Sequence, residues 1–198
     1  MEQVQRLTVD FLGSAPSLSQ CPAGTEPEVA FVGRSNAGKS SVLNRLTDNR
    51  RTAKVSKTPG RTQMINFFTV ETGGRLVDLP GYGYAKAGRA AQKKWQSTVN
   101  EYLSFRDQLA GVVLVTDIRH AAQPYDEELI DWAGQSEIPL HVLLNKADKL
   151  KRGPQSQALA KFRQTYPDTV GAQVFSARTG IGVGELLCTI YRWLQDPR

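Results

Sequence analysis

The segment GRSNAGKS at residues 33–40 follows the apolar run VAFV at residues 29–32. The pattern G-x-x-x-x-G-K-S, with a strand before it and a helix after it, predicts a phosphate-binding loop rather than a chance glycine-rich turn. Backbone N–H groups of such a loop enclose phosphate oxygens, Lys39 reaches the terminal phosphates, and the Ser40 hydroxyl ligates Mg²⁺. The helix predicted from about Gly38 adds its positive N-terminal end. The segment therefore predicts a nucleotide ligand.

A second phosphate-sensing element is predicted at residues 78–81, DLPG, after the strand-like run RLV at 75–77. A carboxylate at a strand end with glycine three residues later is the D-x-x-G pattern of nucleotide switches. We expect Asp78 to hold Mg²⁺, through water, and the Gly81 N–H to bond the γ-phosphate. A β-turn built by Pro80-Gly81 is compatible with this role.

The base is predicted from NKAD at residues 145–148, after the buried strand 141–144. A carboxylate accepts from the adjacent N1–H and N2–H₂ of guanine, whereas adenine has an acceptor in place of N1–H. Asp148 is therefore the predicted base reader, Asn145 braces the site, and the aliphatic stem of Lys146 lies along the base. The segment Ser-Ala-Arg at 176–178 is expected to offer a backbone N–H to guanine O6.

A switch loop is predicted between residues 50 and 62, RRTAKVSKTPGRT, because the segment lacks apolar periodicity and contains Pro-Gly. Thr62 would add a second hydroxyl ligand to Mg²⁺ when the γ-phosphate orders the loop. On chemistry alone, Thr52 and Thr58 are equally suitable.

These motifs together resemble one family. The sequence blocks that carry the resemblance are GRSNAGKSSVLN at 33–44, KTPGRTQ and INFF between 57 and 68, DLPGYGYA at 78–85, TDIRH at 116–120 and NKAD. They resemble the EngB (YihA/YsxC) family of bacterial GTPases, in the TrmE-Era-EngA-EngB-Septin-like class of translation-factor-related GTPases, over about residues 29–193. The resemblance implies a Ras-like P-loop GTPase fold and makes Thr62 the magnesium threonine. Asn145 stands where several members have threonine, which should leave base reading by Asp148 intact.

One position predicts slow hydrolysis. In Ras-type GTPases a glutamine after D-x-x-G orients the attacking water, whereas this chain has Tyr82. A phenol does not copy that two-handed hydrogen bonding, so we expect slow intrinsic GTP hydrolysis. Related GTPases with similar loops use the asparagine equivalent to Asn36 to help hold K⁺ beside the phosphates, so a potassium site is a hypothesis here. The predicted catalytic residues are Lys39, Asn36 and Gly81.

The predicted site therefore divides into a metal set and a nucleotide set. The Mg²⁺ ligands are expected to be Ser40, Thr62 and Asp78. The residues expected to bind GTP or GDP are Gly33, Arg34, Ser35, Asn36, Ala37, Gly38, Lys39, Ser40, Gly60, Arg61, Thr62, Gln63, Met64, Asp78, Leu79, Pro80, Gly81, Asn145, Lys146, Ala147, Asp148, Ser176, Ala177 and Arg178.

The composition is that of an ordinary globular protein. The 198 residues are 40% hydrophobic and 22% charged, which suits one domain with a full core. We expect no membrane contact, because no apolar run approaches roughly 18 residues and the N-terminus is not a signal peptide. Cys21 and Cys188 have no framework spacing, which favours a reducing cytoplasm without a disulfide. His120 and His141 are expected to be packing residues, and the protein to be a monomer.

The pattern predicts an α/β, three-layer fold with a mostly parallel six-stranded sheet flanked by helices. Residues 1–25 are predicted to be an N-terminal extension that packs or frays, and 26–198 a single GTP-binding domain. Trp95, Val99, Tyr102 and Leu103 share one helix face and are expected to be core. Strands are predicted at 28–33, 64–71, 74–78, 111–117, 139–145 and 171–175, and helices at 38–47, 89–107, 124–136, 154–165 and 182–195.

Positive charge is concentrated between Gly33 and Thr62, which hold eight basic residues and one acidic residue. A basic switch loop would suit an anionic partner such as RNA, although a solvated surface is a simpler explanation. The family resemblance implies the large ribosomal subunit during assembly as partner, with cell division and septation as downstream effects. The alternatives are a phosphoryl transferase, against which the chain has no evident acceptor-substrate domain, and a direct septum-associated binding protein.

Overall fold

A computed structural model describes residues 6–47, 64–82, 89–121, 123–166 and 169–196, with the backbone alone for 89–96. Strands and helices alternate along most of the chain. Their bounds are β1 Val9–Ala15, β2 Glu28–Gly33, α1 Lys39–Leu46, β3 Ile65–Val70, β4 Arg75–Asp78, α2 Arg89–Phe105, β5 Leu109–Asp117, α3 Pro124–Ser136, β6 Leu140–Asn145, α4 Arg152–Thr165, β7 Gly171–Val174 and α5 Val183–Gln195.

All seven strands form one sheet in the order β1-β3-β4-β2-β5-β6-β7. The five neighbouring strands β4, β2, β5, β6 and β7 run parallel to one another, and β3 is antiparallel to both of its neighbours. The carboxyl ends of the parallel strands therefore meet at one edge of the sheet, where ligands bind in open α/β folds. This edge carries Gly33, Asp78, Asp117 and Asn145, each the last residue of its strand.

Helices cover the sheet on both faces, so each central strand is buried on both sides. On β2, Val29 and Phe31 belong to the core under α1 and α5, whereas Ala30 and Val32 belong to the core under α2, α3 and α4. This burial explains the continuous apolar runs that the sequence shows in β2, β5 and β6. The three-layer α/β fold predicted from the sequence is confirmed.

The prediction of six strands was one short, because the N-terminal extension contributes β1. Val9–Ala15 pairs antiparallel with β3, with a bulge between Phe11 and Gly13, and forms an edge of the sheet. Phe11 and Leu12 are 63% and 47% exposed, so the segment has little of the alternation that marks a half-buried strand. Pairing with β3, rather than local sequence preference, makes it a strand. The predicted boundary at residue 25 stays a prediction.

The other predicted elements agree with the structure within two residues at each end. Two-residue differences occur at the start of β5, at the end of α2 and at the start of α4. Helix α4 begins at Arg152 rather than residue 154, because a proline is tolerated in the first turn of a helix. Val99, Tyr102 and Leu103 are buried as predicted, whereas the side chain of Trp95 lies outside the described residues. His141 is buried against Gln173, and His120 is exposed.

A buried ion-pair network occupies the edge of the sheet opposite the strand carboxyl ends. Glu28, at the start of β2, is fully buried and accepts hydrogen bonds from Arg75, Arg106 and the Tyr102 hydroxyl. The two arginines also donate to the carbonyl oxygens of Pro22 and Ala23. The network therefore fastens the chain before β2 to β4 and to the end of α2.

Among the described residues, no helix is long and apolar enough to cross a membrane. Both cysteines are free thiols, with Cys21 half-buried and Cys188 exposed. Burial raises the pKa of the Cys21 thiol to about 11.

Candidate functional site: a nucleotide cleft at the strand carboxyl ends

The predicted phosphate loop joins β2 directly to α1. Gly38 precedes the helix with a left-handed φ of 100°, and a Cβ atom there would lie 2.5 Å from the Asn145 amide nitrogen. Gly33 is equally confined, since a Cβ atom would lie 2.5 Å from the Val115 carbonyl oxygen. Both glycines are therefore required by the geometry. Asn36, at the exposed turn of the loop, has a left-handed φ of 68°.

The DLPG segment runs beside this loop. Asp78 is paired with Phe31 in the parallel register, and its carboxylate forms an ion pair with the Lys39 ammonium. The Ser35 N–H donates to the Tyr82 carbonyl at 2.6 Å, and the Tyr82 N–H donates to the Gly33 carbonyl at 3.3 Å. The two predicted phosphate elements are thus hydrogen-bonded to each other, with Leu79 and Pro80 buried beneath them.

Tyr82 packs inward at the point where Ras-type GTPases have glutamine. Its side chain is 3% exposed, and its ring centroid lies 4.3 Å from that of Tyr125 on α3. The Tyr125 hydroxyl in turn donates to the Asn100 side chain of α2 at 3.2 Å. The Tyr82 ring therefore packs against α3, and Tyr125 connects α3 to α2.

The predicted base-binding segments also meet in space. The Asn145 side chain donates to the Ala37 carbonyl at 2.9 Å and accepts from the Ala177 N–H at 3.3 Å. The Ser176 hydroxyl donates to Asp148 Oδ1 at 2.8 Å. These contacts connect the phosphate loop, NKAD and the 176–178 loop, and they leave the Asp148 side chain 10% exposed, with Oδ2 3.8 Å from Arg178 and 3.9 Å from Lys149.

Two residues that sequence reasoning did not assign to the site also contact it. Arg45 donates to the Arg178 carbonyl at 3.0 Å and so connects α1 to the 176–178 loop. The Asp117 carboxylate lies 3.0 Å from the Lys146 ammonium. Asp117 could have been found by the signal that marked Asp78, since it is also a carboxylate directly after a buried apolar strand. Arg45 had no such signal and was counted only as part of the basic segment.

Several predicted site residues lie outside the described residues, namely Gly60, Arg61, Thr62 and Gln63. Met64 is described, lies just before β3, and is 40% exposed. Within the described residues, Ser40 in the first turn of α1 and Asp78 supply a hydroxyl and a carboxylate oxygen, the hard donors that Mg²⁺ prefers. No cluster of three His, Cys, Asp or Glu side chains suited to a metal occurs in that part of the chain.

Comparison with known proteins identifies the family. A family model described as "50S ribosome-binding GTPase" matches residues 28–146. The chain is 49% identical over 186 residues to a probable GTP-binding protein EngB from Vibrio parahaemolyticus, covering 92% of this chain and 85% of the relative. A relative of the same name from Idiomarina loihiensis is 46% identical and covers 97% of this chain and 95% of its own. The chain belongs to the EngB family of GTP-binding proteins.

Solved structures agree on the fold. A crystal structure of a probable GTP-binding protein EngB superposes with a TM-score of 0.70 at 23% identity, covering 85% of this chain and 98% of that one. A structure of Era in complex with MgGDPNP and nucleotides of 16S ribosomal RNA has a TM-score of 0.69 at 21% identity, covering 88% of this chain and 59% of that one. As an EngB family member, the chain is a GTPase, and the predicted resemblance is confirmed.

Proposed function

We propose that this GTPase is a Mg²⁺-dependent nucleotide switch that hydrolyses GTP slowly and acts in the assembly of the large ribosomal subunit. The observation that supports the nucleotide part is the meeting of Lys39 and Asp78 at one end of the cleft with Asp148 and Ser176 at the other. Normal cell division and septation would depend on it indirectly, through ribosome supply. We further propose that it works in the cytoplasm as a monomer.

In this proposal each end of the cleft has its own task. Lys39 holds the β- and γ-phosphates, the Gly81 N–H bonds the γ-phosphate, and Asp148 with the Ser176–Arg178 loop binds guanine. Ser40 and Asp78, with Thr62 in the GTP state, would hold Mg²⁺, which neutralises phosphate charge when bound. Nucleotide binding must then separate Lys39 from Asp78, since both have new partners in the bound state.

The packed Tyr82 ring supports slow hydrolysis, because that side chain is buried against Tyr125. Asn36 supports a potassium ion as an aid to hydrolysis, because its side chain is exposed while its carbonyl is held by Lys146 at 2.6 Å. We expect faster turnover in KCl than in NaCl at equal ionic strength, and loss of that difference in Asn36→Ala. Equal rates in the two salts would refute the potassium site.

The ribosomal partner is supported by the matching family model, described as a 50S ribosome-binding GTPase, and by the basic segment between Gly33 and Thr62. Within this segment, Lys39 contacts Asp78, and Arg45 contacts the Arg178 carbonyl. The basic residues left to contact RNA are Arg34 and those that follow Asp48 in the sequence. The latter lie outside the described residues. RNA contacts made by such cations weaken steeply with salt.

The test is co-sedimentation with isolated large-subunit particles in a GTP analogue and in GDP, over a series of salt concentrations. We expect stronger, salt-sensitive binding in the analogue, weakened by Arg50→Ala with Arg51→Ala. The matched control is Arg152→Ala, which removes an exposed charge from the start of α4. Binding that ignores the nucleotide would refute the switch, and binding that ignores both salt and the arginine changes would refute the basic segment as the contact.

A further inference from the structure

Asp117 lies where it can act on the base-binding lysine. It ends β5 and is paired in parallel register with Asn145, the last residue of β6. Lys146 follows with a left-handed φ of 65°, a conformation that is unfavourable for a non-glycine residue. This turn directs the Lys146 side chain back across the sheet edge, toward β5 and the phosphate loop.

The Asp117 carboxylate is itself held in place by Arg119. Its Oδ1 accepts from the Arg119 Nε at 2.9 Å and from the Arg119 backbone N–H at 3.1 Å, and its Oδ2 accepts from the guanidinium at 2.7 Å. Such forked pairing fixes the plane of a carboxylate. The hydrogen bonds from Arg119, followed by Lys146, hold the pKa of the Asp117 carboxyl well below its usual range.

The same carboxylate contacts the Lys146 ammonium, which is fixed at two points. The ammonium lies 3.0 Å from Asp117 Oδ2 and donates to the Asn36 carbonyl at 2.6 Å. The Lys146 stem passes close to Gly38, since a Cβ atom on Gly38 would lie 3.9 Å from the Lys146 Cε. The stem is therefore stretched between the NKAD segment and the phosphate loop. A free lysine side chain loses rotamer freedom when a ligand orders it, and here the two contacts already order the Lys146 side chain.

We propose that Asp117 is a positioning residue of the guanine site, which, held by Arg119, fixes the Lys146 stem in the orientation that receives the base. The inference rests on the proposed placement of guanine beside Lys146 and Asp148. A purely structural role is the competing explanation, because Asp117 also caps the short helical turn Ile118–His120. The two explanations differ in whether the effect of Asp117 depends on the Lys146 ammonium.

The experiment is a double-mutant cycle on GDP affinity with Asp117→Asn and Lys146→Met. Asparagine still caps the turn but loses the charge, and methionine keeps an aliphatic stem but has no ammonium. We expect each single variant to weaken binding of a fluorescent GDP analogue about 10-fold, and the double variant to be no weaker than Lys146→Met alone, since coupled residues are non-additive. Arg119→Gln should weaken binding less, about 3-fold.

Two controls separate the possible failures. Asp131→Asn changes an exposed carboxylate on α3 and should leave GDP affinity unchanged. IDP, which lacks the guanine amino group, should lose the same factor as GDP in Asp117→Asn, because the change acts on the stem rather than on base reading. Unchanged affinity in Lys146→Met would refute the positioning role, because methionine keeps the stem and lacks only the ammonium that Asp117 contacts, whereas normal GDP affinity in Asp148→Asn would refute the proposed base site itself. If Lys146→Met weakens GDP binding as expected but the losses of affinity from the two single changes add in the double variant, the positioning role alone is refuted. The same holds if Asp117→Asn leaves GDP affinity unchanged.

Discussion

Charged side chains are buried at both ends of the parallel strands, but they are held differently. At the amino ends, Glu28 is wholly buried and receives hydrogen bonds from two arginines and a tyrosine. At the carboxyl ends, Asp78 and Asp148 are about a tenth exposed and have fewer partners. A buried carboxylate whose oxygens already accept hydrogen bonds from protein groups can only stabilise the fold. A carboxylate with an oxygen exposed to solvent can exchange its partner for a ligand. The difference separates a structural end from the end where the ligand is predicted to bind.

The largest effect on nucleotide affinity is expected from Lys39→Ala at the carboxyl ends. Removing the ammonium should weaken GTP and GDP binding by about 100-fold or more, which corresponds to about 2.7 kcal/mol. Thermal unfolding without nucleotide should change little, because Asp78 retains access to water. Titration calorimetry and melting curves would measure the two effects, and a folded variant that binds GTP normally would contradict the assignment.

A comparable change of affinity is expected from Asp148→Asn, which tests the base rather than the phosphates. An amide nitrogen faces guanine N1–H as a second donor, whereas xanthine offers an acceptor nearby. Guanine nucleotides should lose about 100-fold in affinity, and xanthine nucleotides should now be preferred. Competition between GDP and XDP measures the preference. If the variant still prefers GDP, Asp148 does not read the base.

The opposite end should respond in stability alone. Glu28→Gln removes the counter-charge that Arg106 and Arg75 share, although Arg75 keeps Glu26, and breaking a buried pair in this way costs about 3 kcal/mol. GDP affinity should stay within about 2-fold of the parent, because no contact with the cleft is lost. The matched control is Glu26→Gln. The ion pair between Glu26 and Arg75 should contribute less than about 1 kcal/mol to stability, because the Glu26 side chain is exposed. A large change in GDP affinity in Glu28→Gln would show that the two ends are coupled.

A smaller effect is expected at Asp126 on α3. Its side chain is buried as that of Glu28 is, but it has fewer hydrogen-bond partners. Its carboxylate is 2% exposed, and Oδ1 has no hydrogen-bond partner among the described residues, whereas Oδ2 accepts from the Gln123 N–H. Burial, opposed by the Gln123 N–H and by Arg34 and supported by Glu127, raises the pKa of Asp126 to about 6. The folded state therefore binds this proton more tightly than the unfolded state.

The sign of the pH dependence follows from that raised pKa. The contribution of Asp126 to stability is fully present below about pH 4, the ordinary value for Asp, and is lost as the pH rises through about 6. Asp126→Asn should thus raise the free energy of unfolding by about 2 kcal/mol at pH 7.5 and by much less at pH 4. Denaturation at the two pH values, with Asp131→Asn as control, measures it. A gain that is equal at both would rule out titration of Asp126 as the cause.

The agreement between sequence and structure was closest where local pattern and burial coincide. The phosphate loop, DLPG and NKAD each follow an apolar strand, so their positions at one sheet edge follow from the parallel topology. The seventh strand was missed because its edge position leaves Phe11 and Leu12 exposed. Arg45 has no local signal, because its contact joins residues far apart in the chain, whereas Asp117 follows an apolar strand as Asp78 does and could have been predicted.

The sequence by itself determined the family and the α/β class and predicted the position of the guanine nucleotide cleft, because those depend on short motifs with fixed spacing after apolar strands. The tertiary structure alone decided which charges are already paired. It paired Lys39 with Asp78, Asp117 with Lys146, and Glu28 with two arginines from distant elements. The physical reason is that an ion pair depends on the strand register and helix packing that bring its members within about 4 Å, and no local pattern contains that distance.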